Sequence, residues 1–415
     1  MNIGGRKMSD KKNIWIFCHY AQQPPFNTML RYHNWGKYIQ DKGYEVTIVA
    51  ASTVHNTNID VVDELHGKTE DVIDGVRYLY VKAPRYIGNG LARVKNMLTY
   101  CLGLNKFKQV DRQPDYVVLC EAYLYPFVHH AYKKLPIISD IVDLWPLSIV
   151  EYTSVSNTNP LISFLYWLEK HDYIKSDAVV FSMEGGKDYI LEQKYASKVD
   201  TQKVFHINMG CDLDSFDLHF NEEIVKPSTE FTVTYSGSMR QANNIIQICE
   251  AAKILKDKDV DIKFRFFGNG PDEDAAKEYC VSNGLTNVQF FGRFKKEELA
   301  NILSESTVNI MTYQQSKVMK YGGSQSKLFD YLASGKPVIN CGDWGYNLIS
   351  RYNCGIVVKE QTSVNIANAI EILKNTSEEI LNSMGNNARH VAEIYAQPNL
   401  VDKLIEVLHY VDKKR

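Results

Sequence analysis

The chain has 415 residues, more than one hydrophobic core usually organises, so two domains are expected. Hydrophobic residues make up 45% and charged residues 23%, a balance that excludes a disordered or fibrous protein. A net charge of −2 excludes a general positive field for nucleic acid, and the eight scattered cysteines, with no C-x-x-C pair, suggest neither a zinc cage nor a disulfide framework.

In chain order, a polar stretch from Met1 to Lys12 precedes the apolar run Ile14–Cys18, which is too short for a signal-peptide core. No segment reaches the roughly 18 apolar residues of a spanning helix, so a soluble, cytoplasmic protein is expected. Runs of β-branched and aromatic residues predict strands at Ile14–Cys18, Glu45–Ala50, Val76–Val81, Tyr116–Leu119, Ile137–Ile141, Ala178–Phe181 and Val204–Ile207. The stretches between them are long enough for crossover helices, which predicts a doubly wound parallel sheet over residues 1–209. The polar segment 210–228, with Asp212, Asp214, Asp217 and Pro227, reads as an interdomain linker. Alternation then restarts at Phe231–Ser236, Lys263–Phe267, Val288–Phe291, Val308–Met311, Pro337–Asn340 and Gly355–Val358, giving a second such domain over 229–395. Leu400, Leu404, Val407, Leu408 and Val411 predict a last helix within 396–415, one that could pack back on the first domain.

The richest segment runs from Tyr321 to Pro337. Gly322 and Gly323 lead into Ser324, a natural N-cap, and Gly335 and Pro337 end the helix. Free amides at such a start, with Gln325, Ser326 and the mobile cation of Lys327, suit a pyrophosphate. Asp330, three residues beyond Lys327, is placed to accept from ribose hydroxyls. A plain capped helix with a Lys327–Asp330 surface pair is the alternative. Gly237, Ser238 and Arg240 follow one strand, Gly268 and Gly270 the next, and Gly292 and Arg293 a third. Each turn alone is ordinary; together they put glycines on the sheet edge where α/β proteins bind ligands, and Arg240 adds a planar donor fork.

In the first half, Asp143 and Trp145 lie where a strand should end, facing the cleft or serving as a helix cap and a core anchor. His19 and His33 could also reach the cleft, although a lone histidine is commonly structural. Asp212 and Asp214 have no third ligand beside them and read as turn chemistry, so no metal site is expected. The stretch 83–112 mixes Arg85, Arg93, Lys95, Lys106, Lys108 and Arg112 with Leu91, Met97, Leu98, Leu102 and Leu104. That pattern is compatible with an anionic membrane surface or with a solvated helix face.

Across nearly the whole chain these residues resemble the retaining GT-B glycosyltransferases of family 4. The likeness rests on Gly43 to Thr47, Asn208 to Asp212, Tyr235 to Arg240, Phe267 to Pro271, Val288 to Gly292 and Ser326 to Ile339. The string Asp143-Leu144-Trp145-Pro146 is similar to a branch that builds bacterial surface polysaccharides, O-antigen and capsule among them, including transferases of N-acetylated aminosugars. The resemblance implies two Rossmann-like domains across a cleft, the first for the acceptor and the second for a UDP- or GDP-sugar. It also implies transfer with retention and without metal or cofactor. By position, Asp330 would hold the ribose and Ser326 and Lys327 the pyrophosphate, with Asp143 near the sugar and acceptor. The acid that the family carries eight positions before Asp330 is here Gly322, and the family's phosphate-gripping lysine after Gly237-Ser238 is absent.

The expected activity is therefore transfer of a hexosyl or N-acetylhexosaminyl group from a nucleotide-sugar to a glycan or lipid-linked acceptor, at the inner face of the cell membrane. The alternatives are a nucleotide-sugar epimerase and a catalytically silent binding subunit.

Overall fold

A computed structural model describes residues 11–27, 29–88, 90–221 and 230–415. The first domain is built on eight strands: β1 (Lys12–Phe17), β2 (Tyr44–Ala51), β3 (Glu70–Ile73), β4 (Val76–Val81), β5 (Tyr116–Leu119), β6 (Ile137–Ile141), β7 (Ala178–Phe181) and β8 (Val204–His206). Their order is β3-β4-β2-β1-β5-β6-β7-β8. Every pairing is parallel except that of β3 with β4. Each residue of β5, β6 and β7 is buried, as expected of strands covered by helices on both faces.

The second domain contains β9 (Thr232–Ser236), β10 (Lys263–Phe267), β11 (Val288–Gly292), β12 (Val308–Thr312), β13 (Val338–Cys341) and β14 (Gly355–Val358). They form an all-parallel sheet in the order β11-β10-β9-β12-β13-β14. In each sheet the strand order reverses beside the first strand, at β1/β5 and at β9/β12. Such a reversal opens a crevice beyond the carboxyl ends of the strands.

The predicted linker is not wholly irregular. Asp212 caps a helix, Leu213–His219, by accepting from the Ser215 amide at 3.1 Å. The same carboxylate receives Tyr38 Oη at 2.6 Å and Lys37 Nζ at 3.1 Å, so it serves capping and anchoring. Residues 222–228, Pro227 among them, lie outside the described residues, as do the first ten.

The chain passes between the domains again near Tyr395, and the two passages are bonded side by side. Cys211 N–H donates to Tyr395 O at 3.3 Å, and Gln397 N–H donates to Cys211 O at 3.1 Å. Gly210 is required here: its φ is +60°, and a Cβ would lie 2.2 Å from Tyr395 O. The last helix, Gln397–Lys414, buries Leu400, Leu404, Val407, Leu408 and Val411. It lies on the first domain, where Asp412 meets Lys12 Nζ at 2.9 Å and Tyr116 Oη at 2.8 Å. Among the described residues no helix is long and apolar enough to cross a membrane.

Candidate active site

On the second sheet, the turns after β9, β10 and β11 interlock through missing side chains. Gly237 N–H donates to Phe267 O at 2.9 Å and Met239 N–H to Asn269 O at 2.9 Å. A Cβ on Gly268 would sit 1.9 Å from Gly237 O, and one on Gly270 would sit 2.1 Å from Met239 O. Ser238 is held through its carbonyl, which accepts from Tyr235 Oη at 2.7 Å and from Asn243 Nδ2 at 2.5 Å.

Lys327 enters the space that Gly237 leaves, since a Cβ there would be 2.9 Å from Lys327 Nζ. The ammonium lies between two rings, 4.7 Å from the Tyr235 centroid and 5.1 Å from that of Tyr313. It also donates to Tyr235 Oη at 3.1 Å. Among the described residues no carboxylate faces it, and burial lowers its pKa to about 7.

The helix runs Ser326–Ala333 with Gln325 as its N-cap and no side chain bonded to its first amides. Ser324 is therefore not the cap. Its hydroxyl instead donates to Val142 O of the first domain at 3.4 Å. The surrounding segment is fastened to that domain as well: Gly185 N–H donates to Tyr321 O at 2.8 Å, and Ser316 Oγ to Tyr152 Oη at 2.7 Å. Gly322, at φ +100°, lies near Glu184 N. The glycine-flanked helix start thus opens at the boundary between the two sheets.

The alternative surface pair of Asp330 with Lys327 is not formed. Asp330 receives Lys296 Nζ at 3.1 Å, because the side chains diverge and Lys296 projects from the segment after β11. Asp330 and Ser326 line a cavity of about 120 Å³ with Arg31, Asn34 and Lys296. Arg293 is exposed beside Gly292 on the same edge.

The first domain presents a cavity of about 190 Å³ at the reversal between β1 and β5, lined by Tyr20, Arg93, Met97, Glu121, Asp143 and Trp145 among others. Asp143 reaches solvent but stands among the cleft walls, and desolvation raises its pKa. Trp145 is both wall and anchor: it faces the cavity and meets Tyr123 edge-on at 6.0 Å. Arg240, exposed on the second domain, is close enough to influence His55 of the first. Burial, then Arg93, then Arg240 lower the pKa of that imidazole.

Neither His19 nor His33 reaches the cleft. His19 is wholly buried, with its ring nitrogens on Asn96 Oδ1 at 2.6 Å and Tyr123 Oη at 2.8 Å. Burial lowers its pKa to about 3, so it is a neutral structural ring. His33 is held by Tyr78 Oη at 2.9 Å and Asp74 at 3.1 Å.

Glu121, just past β5, is the residue that the motifs missed. It accepts from His19 N–H at 3.3 Å and from Cys18 Sγ at 3.5 Å. Burial raises its pKa to about 8, so near neutrality it is mostly the neutral acid. A perturbed carboxyl in a cleft is a functional candidate. The signal available in sequence was its place, immediately beyond a strand that neighbours β1 at the order reversal.

Two facing parallel α/β sheets with this cleft have the GT-B architecture. Residues 219–391 match the family described as Glycosyl transferases group 1. The chain is similar in fold to a sucrose-phosphate synthase from Thermosynechococcus elongatus: 14% identity, TM-score 0.76, covering 98% of this chain and 100% of that one. It is also similar to a glycosyltransferase from Rickettsia africae, at 17% identity and TM-score 0.68 over 98% and 100% of the two chains. A third similar structure is HepE of Anabaena in complex with UDP and glucose, at 13% identity and TM-score 0.66 over 96% and 99%. No curated protein sequence matches the chain.

Proposed function

We propose that this protein is a retaining glycosyltransferase of family 4 that moves a hexosyl or N-acetylhexosaminyl group from a UDP-sugar to a hydroxyl of a glycan or lipid-linked acceptor in bacterial surface polysaccharide synthesis. The observation that carries this reading is the glycine-flanked start of the helix Ser326–Ala333 at the boundary between the two sheets, with Lys327 set in the gap left by Gly237 and Ser324 bonded to Val142 O of the first domain. The UDP complex of HepE supports a nucleotide-sugar as donor.

In this reading Lys327, Arg240 and the amides at Gln325 to Lys327 stabilise the charge that grows on the departing diphosphate, in a cleft that holds little water. Asp330 releases Lys296 and takes the ribose. Asp143 faces the sugar as it gains oxocarbenium character, with Trp145 as the wall on the acceptor side. The proton of the acceptor hydroxyl passes to the departing phosphate, so the transfer needs no metal or cofactor.

Calorimetry with UDP, followed by an assay of UDP release with and without acceptor glycans, tests the reading. Binding with acceptor-dependent release is expected. No UDP binding would favour a silent subunit, and conversion of the UDP-sugar without acceptor would favour an epimerase.

A proton signature is also expected. A bound diphosphate holds Lys327 charged, whereas the free protein loses that proton around pH 7. UDP binding should therefore take up a proton above that pH, and affinity should fall by up to about tenfold per unit at higher pH. Calorimetry in buffers of different ionisation enthalpy measures the uptake; zero uptake at pH 8 would contradict the role of Lys327.

Glu121→Gln keeps the neutral form of that side chain. The wild type should lose turnover as Glu121 ionises above about pH 8, while the variant should stay within about tenfold of wild type and lack that decline. A pH–rate profile that is the same in both would contradict this.

A further inference from the structure

The helices on one face of the first sheet leave apolar rows in solvent. On the helix Leu91–Gly103, exposed Leu91, Val94, Leu98 and Leu102 recur at spacings of three and four, and Leu91 and Leu102 keep 86% and 64% of their surface open. The layer continues by packing: residues 104–109 lie against the helix Tyr125–Tyr132, and that helix lies against the helix Pro160–Lys175. There Leu161, Phe164 and Trp167 are exposed, with the rings of Phe164 and Trp167 stacked at 6.0 Å. Tyr125 and His171 join these last two helices, with centroids 6.3 Å apart.

The charge on this layer is mostly of one sign. Lys95, Lys106, Lys108, Lys133 and Lys134 are exposed and Lys170 is half-buried. The carboxylates in these segments, Glu169 and Asp172, are both buried. Glu169 is held by the hydroxyls of Tyr173, Tyr189 and Tyr195, and Asp172 by those of Ser139 and Ser176. A chain with a net charge of −2 thus concentrates a mostly cationic, apolar-studded surface on one layer, with Asp111 at its margin. Apolar rows flanked by lysines fit the boundary of an anionic bilayer, with the aliphatic and aromatic side chains among the acyl ends and the ammonium groups at the headgroups.

We propose that this three-helix layer docks the protein on an anionic lipid surface, with Trp167 at the headgroup level. Arg93 and Met97 of the first helix point the other way and line the cavity of Glu121 and Asp143. Docking therefore sets that cavity beside the headgroups, where the hydroxyl of a lipid-linked acceptor arrives. The placement of the cavity rests on the proposed transfer reaction; the docking itself does not, and vesicle binding is read without any sugar donor.

The test is flotation of the full chain with vesicles of about one part phosphatidylglycerol to three of phosphatidylcholine at about 0.1 M salt, against phosphatidylcholine alone. At least a tenfold preference for the anionic vesicles is expected, weakening as salt rises. Tryptophan emission should shift to the blue and be quenched by brominated lipid, a response lost in Trp167→Phe. Lys95→Glu combined with Lys106→Glu and Lys108→Glu should abolish the preference, and Leu98→Ser with Leu102→Ser should weaken binding to both vesicles. All these side chains, Trp167 included, project outward without lining the cavity, so UDP-induced thermal stabilisation serves as the check on folding. Equal binding to both vesicle types, no binding, or self-association of the chain through these same residues in place of vesicle binding would overturn the proposal.

Discussion

Lys327→Ala is expected to lower turnover by about 10²–10³-fold, the usual cost of losing one donor aimed at charge that grows in the transition state. The stability of the fold should not fall with it. Lys327 has a depressed pKa because burial withdraws water from its ammonium, and a lysine depressed in this way binds its proton less readily folded than unfolded. Its contribution to stability is therefore lost as pH falls from the unfolded lysine range towards about 7, and removing the side chain relieves that penalty at neutral pH. A residue that costs stability while lying at a glycine-flanked helix start on the domain boundary is the pattern of a functional group. Steady-state rates and thermal unfolding of the same variant check both halves; turnover within about threefold of wild type would remove Lys327 from the chemistry.

Asp140→Ala should be the most damaging of these substitutions for stability, at about 3–5 kcal/mol, because it strands a buried guanidinium. Arg31 donates to the two oxygens of Asp140 at 2.8 Å each, and Tyr32 Oη joins at 2.9 Å. The same guanidinium donates to Ile207 O at 2.8 Å and Asn208 O at 2.7 Å, where the chain leaves β8 for the second domain. Replacing both partners, as in Arg31→Met with Asp140→Leu, should cost much less, since no charge is left unpaired. Urea unfolding of the single and double variants measures the difference, and a loss under about 1 kcal/mol for Asp140→Ala would contradict it.

The strands were legible because each buried run, such as Val117 to Leu119 or Ala178 to Phe181, is apolar over its whole length, as a parallel strand covered on both faces requires. β3 was not legible. It is a short edge strand, Glu-Asp-Val-Ile, whose partly exposed side chains carry no apolar signature. The helix within 210–228 was hidden by its acids, since Asp212 and Asp214 read as turn chemistry, whereas Asp212 in fact caps the helix.

At the site, the glycine turns were readable because they answer a local need for close backbone approach. The partners of the charged side chains were not, for those depend on what the fold brings near. Spacing put Asp330 with Lys327, whereas the segment after β11 supplies Lys296. His19 looked available because nothing in its neighbourhood in sequence announces Asn96 and Tyr123. Glu121 looked unremarkable for the converse reason: its altered acidity comes from burial by elements far along the chain.

The paired passages at Cys211 and Gln397 carry a mechanical consequence. Two backbone segments clipped together at one edge behave as a door on two pins: they permit swinging about a single axis and resist twisting or sliding. Any opening that admits a nucleotide must therefore swing about these passages, beside which Arg351 grips Glu184 at 2.8 and 3.0 Å, and swinging back returns the helix start at Ser324 to Val142 on every cycle.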